Sequence, residues 1–142
     1  MAKGARKMNE VNDKELYAAV ITKATECQSM GWVGATALRL ASGEILTYCA
    51  PETKSNIVSI YMEVGVILAA HRTKKKVTHC ISVAKKDNQS EFIIMSPSGI
   101  CQERLAFWGG DVKVAISNPT NKLNFKTIKE LMPNKWFEAV GE

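Results

Sequence analysis

The chain has 142 residues, of which 46% are hydrophobic, and a formal net charge of +5. This length is that of one ordinary domain and the composition is that of a globular protein, so we predict a single domain over residues 1–142 and exclude a disordered chain. No apolar run approaches the roughly 18 residues needed to span a membrane. The basic start MAKGARKMNE lacks the apolar core of a signal peptide, so we expect a cytoplasmic protein whose residues 1–11 form a flexible basic tail.

Helical spacing of apolar residues, together with caps and stops, predicts four helices, at residues 12 to about 30, 57–70, about 98–108 and 125–132. Asn12 is a suitable N-cap for the first helix, Gly31 ends it, and Pro133 stops the last. Short β-rich runs bounded by turn residues predict five strands, at 33–40, 44–49, 77–83, 92–95 and 112–116. The order of these elements predicts an α/β fold in three layers, with helices on both faces of a central mixed sheet of about five strands.

The four cysteines, at positions 27, 49, 80 and 101, show no close-spaced framework. In a cytoplasmic chain we therefore expect reduced thiols, mostly buried as small apolar residues. The positive charge is concentrated in the tail and in residues 72–76, which follow the second predicted helix. Cations complement the negative end of a helix dipole, and no aromatic residues interleave with these lysines, so we do not expect binding to nucleic acid.

The run 57–70 (IVSIYMEVGVILAA) holds one carboxylate, Glu63, in an otherwise apolar stretch. The run is long enough for about four helical turns, and a helix that is apolar on nearly every face belongs in the middle of a domain. A carboxyl group buried there binds its proton more tightly, which suits it to passing protons near neutral pH. The alternative is an exposed glutamate on the one wet stripe of a core helix, and this segment alone favours neither.

Two motifs are more specific. The first comprises SGEILT at 42–47, then Glu52, then YME at 61–63, and the second is SPSGICQE at 96–103. Together they resemble the cytidine deaminase superfamily, specifically the small cytidine and blasticidin-S deaminases, whose members carry Cys-Ala-Glu or His-Ala-Glu in the first motif and Pro-Cys-Gly-x-Cys in the second. The resemblance follows the order of the predicted elements along nearly the whole chain, so it implies the same three-layer fold.

The resemblance implies a site in which one Cys or His and two Cys hold zinc, whose bound water attacks C4 of the pyrimidine while a glutamate shuttles the proton. The matching ligand positions are Tyr61, Ser98 and Cys101, and the proton-shuttle position is Glu63. A phenol and an alcohol are neutral at pH 7 and replace thiolates poorly, so we expect zinc to be absent or weakly bound. Without the metal, Glu63 should be protonated, hydrogen-bonded to Tyr61 or Ser98, or bound to a ligand.

A rebuilt zinc site would need other ligands, and the sequence offers His71, His79 and Cys49. His71 lies about 15 Å beyond Tyr61 along the predicted helix, and His79 lies inside a strand, so we do not expect such a site.

In relatives, an Asn and a Glu after the second strand hold the ribose hydroxyls of the substrate. The matching positions here are Ala50 and Glu52, so half of this substrate-binding pair is replaced.

Three functions follow from the resemblance. The first is a pseudoenzyme, a zinc-less and catalytically impaired family member that keeps a pocket for a pyrimidine nucleoside or a related small molecule. The second is an active, divergent deaminase that hydrolyses cytidine or a blasticidin-type antibiotic at C4. The third is an oligomeric scaffold, because the small deaminases form homotetramers, and Trp108, Trp136 and Phe137 are available for such contacts. The resemblance thus implies a homo-oligomer, either a dimer or a tetramer.

Overall fold

The computed structural model describes residues 2–27 and 31–141. The strands are β1 (Val33–Leu40), β2 (Ile45–Cys49), β3 (Val77–Lys85), β4 (Ile93–Met95), β5 (Lys113–Ala115) and β6 (Phe125–Thr127). The α-helices are α1 (Ala2–Glu26), α2 (Val64–Thr73), α3 (Gly99–Leu105) and α4 (Ile128–Leu131). Short 3-10 helices occur at Asn56–Val58, Ala106–Trp108 and Trp136–Val140. Within the described residues, no helix has both the length and the apolar character that crossing a membrane requires.

The six strands form one mixed sheet in the order β2-β1-β3-β5-β6, and β4 pairs with the second half of β3. The pair β3–β5 is parallel, whereas the other pairs are antiparallel. The predicted hairpin is confirmed: β1 and β2 pair directly, and Gly43 takes a positive φ of 90° in the turn between them.

Two apolar clusters lie on the two faces of the sheet and give the predicted three layers. One face packs against α1, whose buried side chains are Leu16, Val20 and Ala24. The other face packs against α2, α3 and α4, and the buried cluster there contains Leu38, Leu40, Val66, Ile67, Ala70, Leu105 and Ile128. The starts of α2 and α3 therefore lie over the same face of the sheet.

Residues 2–11, for which we expect a flexible tail, are helical, because α1 runs without a break from Ala2 to Glu26. The segment contains no proline and is rich in Ala, Lys, Arg, Met and Glu, all of which favour helix, so Asn12 does not start a new helix. The carbonyl oxygen of Asn12 instead accepts a hydrogen bond from Arg39 Nη2 at 2.9 Å, and this bond links the middle of α1 to β1. Residues 28–30, the predicted end of this helix, lie outside the described residues.

The predicted core helix over 57–70 begins later, at Val64, and ends at Thr73. Ser59 is extended (φ −64°, ψ 146°) and separates the 3-10 helix Asn56–Val58 from α2. The side chain of Ile57 is 95% exposed, so this part of the apolar run does not enter the core. Glu63 consequently lies at the start of a helix rather than in the middle of one.

The predicted final helix over 125–132 is divided in two, which raises the number of strands from five to six. Phe125–Thr127 pairs with β5 as β6. Thr127 then caps α4, and its side chain and that of Glu130 form a reciprocal capping box. The capping box starts the helix three residues later than apolar spacing predicts.

The expectation of four reduced thiols is wrong for one pair. Cys27 follows α1 and Cys49 ends β2, and the two are joined in a disulfide with their Cα atoms 5.8 Å apart. They meet because α1 packs across the β1–β2 hairpin. Cys80 and Cys101 are free and buried, as expected of small apolar residues.

Candidate functional site

Glu63 is the N-cap residue of α2, and its side chain is turned into the protein instead of capping the helix. Only 2% of its surface is exposed. Ser82 Oγ on β3 donates a hydrogen bond to Glu63 Oε1 at 3.2 Å, and the hydroxyl oxygens of Ser82 and Thr36 lie 2.8 Å apart. The other carboxylate oxygen, Oε2, is buried and has no partner of good hydrogen-bond geometry within residues 2–27 and 31–141, although the Cys101 thiol lies close enough to the Glu63 carboxyl group to interact with it.

The hydrogen-bond partner expected for Glu63 is therefore wrong: it is Ser82, and neither Tyr61 nor Ser98. The strand β3 supplies this partner because Ser82 lies on the sheet face that α2 covers. The sequence does contain a signal, since Thr36 and Ser82 are hydroxyl residues within otherwise apolar strands. The pairing register that brings them under Glu63 could not be read from the sequence.

Ser98 and Cys101 lie at the start of α3. Ser98 is the N-cap, and its Oγ accepts a hydrogen bond from the Cys101 amide at 3.4 Å. Cys101 is fully buried, and Arg104 Nη1 donates to its sulfur at 3.6 Å. Burial raises the pKa of Cys101, and the nearby negative charge of Glu63 raises it further. The thiol is therefore held in its neutral form at pH 7.

Cys80 adds a second neutral thiol to this region. Complete burial raises the pKa of Cys80 well above its usual value, and the negative charge of Glu63 acts in the same direction. Glu63, Cys80 and Cys101 are thus close enough to influence one another electrostatically. An uncompensated anion would be costly in this interior, which makes the neutral state of both thiols consistent with their surroundings.

Tyr61 lies two residues before Glu63 and is 48% exposed. It belongs to the irregular segment that leads from the end of β2 to the start of α2. Its carbonyl oxygen accepts a hydrogen bond from the Val64 amide, so its backbone helps to begin α2. In this conformation the phenol is largely at the surface.

The predicted substrate-binding residues Ala50 and Glu52 line a separate cavity of about 470 Å³. Its other lining residues are Glu26, Cys27, Trp32, Val33, Gly34, Cys49 and Pro51. The Cys27–Cys49 disulfide thus forms part of its wall. The structure brings Ala50 and Glu52 together there, and it brings Glu63 and Cys101 together at the starts of α2 and α3.

The alternative ligands His71, His79 and Cys49 do not join Glu63. His71 packs on the rings of Phe107 and Trp108, with centroid distances of 4.7 and 4.5 Å. His79 Nε2 lies 3.8 Å from Asp13 Oδ1, on α1, and burial lowers the pKa of His79. Cys49 is held in the disulfide.

The residues at the three ligand positions do not fit the zinc that the resemblance implies. Catalytic zinc sites use Cys, His, Asp or Glu, and here two of the three positions offer a neutral phenol and a neutral hydroxyl. The Ser98 hydroxyl oxygen already caps α3. In the part of the chain that the structure describes, no three His, Cys, Asp or Glu side chains are placed to share a metal ion.

Comparison of the fold identifies relatives. A cytidine deaminase from Bacillus anthracis is 40% identical over 91% of this chain and 92% of that chain, with a TM-score of 0.85. Cytidine deaminases from Mycobacterium leprae and Burkholderia pseudomallei are 18% and 17% identical, with TM-scores of 0.68 and 0.65, and share the fold. The match to the Mycobacterium leprae protein covers 85% of this chain and 97% of that chain, and the match to the Burkholderia pseudomallei protein covers 87% and 98%. No family model and no curated protein matches the sequence. The identity to the Bacillus protein over nine-tenths of both chains shows that this chain belongs to the cytidine deaminase family.

Proposed function

We propose that this protein is a catalytically impaired member of the cytidine deaminase family that binds a pyrimidine nucleoside or a related small molecule without zinc. The observation that carries the proposal is the buried Glu63 carboxyl group. Of the three positions at which the family carries metal ligands, only Cys101 offers a thiol beside this carboxyl group, and Oε2 lacks a partner of good hydrogen-bond geometry among the described residues.

An unpaired buried acceptor is costly, on the order of 1–3 kcal/mol, and more for a charged group. An amino or ring N–H group of a ligand would supply the missing donor and remove this cost. A nucleobase carries such donors on its edge, and the resemblance to cytidine deaminases implies a nucleobase near this glutamate. Without the metal, the residues present can bind and orient a base, but they offer no Lewis acid that would lower the pKa of a water molecule for attack on C4.

The second candidate is an active, divergent deaminase. The 40% identity to the Bacillus enzyme and the retention of Glu63 beside Cys101 favour it. It requires Tyr61 or Ser98 to give up its present role and to bind a metal together with Cys101.

One set of measurements on the purified chain separates the two candidates. Elemental mass spectrometry should find well under one zinc per chain, including after incubation with zinc and dialysis. Titration with cytidine, followed by NMR or calorimetry, should saturate at millimolar concentration or below, and ammonia release should stay at background. Glu63→Gln should weaken cytidine binding by about tenfold, because the amide cannot act as an anionic acceptor.

Two results would overturn the proposal in different ways. About one zinc per chain together with ammonia release that Glu63→Gln abolishes would establish the active deaminase. A chain that is free of zinc and shows no saturable binding of cytidine or uridine would remove the nucleoside pocket. The remaining candidate would then be the scaffold function, which exposed apolar side chains on the surface favour.

A further inference from the structure

We propose that Thr36 and Ser82 are positioning residues that hold the Glu63 carboxyl group turned away from its own helix, so that Oε2 faces the ligand. This inference rests on the proposed function in one respect, namely that Glu63 contacts the ligand. The hydrogen-bonded chain Thr36–Ser82–Glu63 is called the buried relay below.

The buried relay interrupts an apolar face at one point. On β1 and β3, Leu38 pairs with Cys80 and the next inward-facing pair is Thr36 with Ser82. Leu38 and Cys80 belong to the core cluster under α2 and α3, whereas Thr36 and Ser82 are buried polar residues. The change from an apolar pair to a pair of hydroxyls therefore occurs on the face that carries Glu63.

The hydrogen bonds of the buried relay run in one direction. A hydroxyl group has one proton to donate. Ser82 uses its proton for Glu63 Oε1, at 3.2 Å, so the 2.8 Å contact between the two hydroxyls requires Thr36 to donate to Ser82. Thr36 donates to Ser82, and Ser82 donates to Glu63. The consequence is that Oε1 is occupied from the side of the sheet and only Oε2 is left for a ligand.

The Glu63 carboxylate has an alternative to the buried relay, which is to accept hydrogen bonds from the backbone amides at the start of its own helix. A side-chain oxygen at an N-cap position ordinarily accepts from the second or third backbone amide of its helix, and the positive end of the helix dipole favours a carboxylate there. Glu63 occupies the N-cap of α2 and yet makes no such bond. The donor on β3 explains this difference, because it draws the carboxylate into the protein. Removal of the Ser82 hydroxyl should let Glu63 rotate to cap α2 and withdraw Oε2 from the ligand.

This competition distinguishes a positioning role from a purely structural one. Loss of a structural hydrogen bond lowers the stability of the protein and leaves the orientation of Glu63 unchanged. Loss of the positioning bond changes the orientation of Glu63, while the new helix cap offsets part of the lost stability. Ligand affinity should therefore change more than the melting temperature, whereas the vibrational band of the Glu63 carboxyl group reports the loss of the Ser82 hydrogen bond itself.

The experiment uses Ser82→Ala and Thr36→Val, which remove each hydroxyl, and Thr36→Ser, which keeps it. Thr78→Val is the matched control, because Thr78 is a partly buried hydroxyl residue on β3 whose Oγ1 donates to the Arg39 carbonyl oxygen, outside the buried relay. The probes are cytidine affinity and the infrared band of the Glu63 carboxyl group. The band is obtained as the difference between each protein and the same protein carrying Glu63→Gln, without any ligand.

Ser82→Ala should weaken cytidine binding by about tenfold and shift the Glu63 band. Thr36→Val should weaken cytidine binding and shift the Glu63 band to a smaller extent. Thr36→Ser and Thr78→Val should both leave the affinity and the band as they are in the unmodified protein. An unshifted band in Ser82→Ala and in Thr36→Val would overturn the inference, as would an equal loss of affinity in Thr78→Val. If the unmodified protein binds no cytidine, the proposed function fails, and the band measured without ligand still decides the buried relay.

Discussion

The residues at the three positions that the resemblance assigns to zinc ligands differ in their surroundings. Ser98 still begins α3, now as a hydroxyl N-cap. Tyr61 is largely at the surface. Cys101 keeps its place but is held as a neutral thiol, because burial and the charge of Glu63 raise its pKa. A site that binds zinc needs thiolates, and a cation would be needed to bring this pKa down.

Restoring the missing thiols should restore metal binding. We predict that the double variant Tyr61→Cys/Ser98→Cys takes up about one zinc per chain, because both new thiols lie near the start of a helix, where the dipole favours a thiolate. Elemental mass spectrometry after dialysis against zinc measures the uptake. The two single variants are the controls and should hold clearly less, since each lacks one ligand. A double variant that remains free of zinc would show that the starts of α2 and α3 no longer converge as in a metal site.

At this scale the sequence predicts residue types better than it predicts their partners. The sequence alone favours neither burial nor exposure of Glu63, which the structure shows to be buried. The start of α3 near residue 98 could be predicted, because it depends on neighbours along the chain. The bond from Ser82 to Glu63 could not, because it depends on how β3 is placed under α2. The same holds for the Cys27–Cys49 disulfide, whose partners are 22 residues apart.

At the scale of elements, the disulfide joins the end of α1 to the end of β2, immediately before the irregular segment that leads to α2. It also walls the cavity that contains Ala50 and Glu52. α1 is also held to the sheet by an apolar stripe, by Arg39, which bonds to the Asn12 carbonyl oxygen and to Glu15, and by the contact between Asp13 and His79. The covalent link should therefore matter for how α1 and the segment after β2 stay in place.

Reduction of the Cys27–Cys49 disulfide should lower the free energy of unfolding by about 3 kcal/mol, as expected for a closed loop of this length. Denaturant unfolding with and without dithiothreitol measures the loss. The double variant Cys27→Ser/Cys49→Ser should match the reduced protein and should not respond to dithiothreitol. Identical unfolding curves for the unmodified protein under oxidising and reducing conditions would contradict a stabilising role of the disulfide.

Element types were predicted more reliably than element limits. The hairpin, the strand at β3 and the helix that follows Ser98 could all be predicted, since each combines a clear period with turn or cap residues. The start of α2 could not, because Ile57 continues the apolar pattern although it lies at the surface. The start of α4 could not be predicted either, because it is set by the capping box of Thr127 and Glu130, whereas the apolar spacing continues on both sides of it.

At the scale of the whole molecule, exposed apolar side chains gather on the side of α2 and α3. Phe107 is 71% exposed and Trp136 is 64% exposed, and with Leu68 they line an open groove of about 590 Å³. Trp136 Nε1 donates to Glu103, which fixes one wall of the groove. An apolar surface of this kind, edged by charged residues, is typical of an interaction site.

We predict that the protein forms a dimer or a tetramer through this groove, in agreement with the oligomer that the resemblance implies. The double variant Phe107→Ser/Trp136→Ser should reduce the mass measured by light scattering towards that of the monomer, because it removes the apolar area that a partner would cover. Met8→Ser/Val11→Ser on α1 is the matched control: it also removes two exposed apolar side chains, and it should leave the mass unchanged. A monomeric unmodified protein at tens of micromolar would contradict the prediction, and so would an oligomer that only the α1 variant dissociates.

Since the groove is built from α2 and α3, the helices that begin at Glu63 and Ser98, an oligomer formed through it would also fix those two helix starts relative to each other. Cytidine affinity should then fall on dilution below the concentration at which the oligomer dissociates.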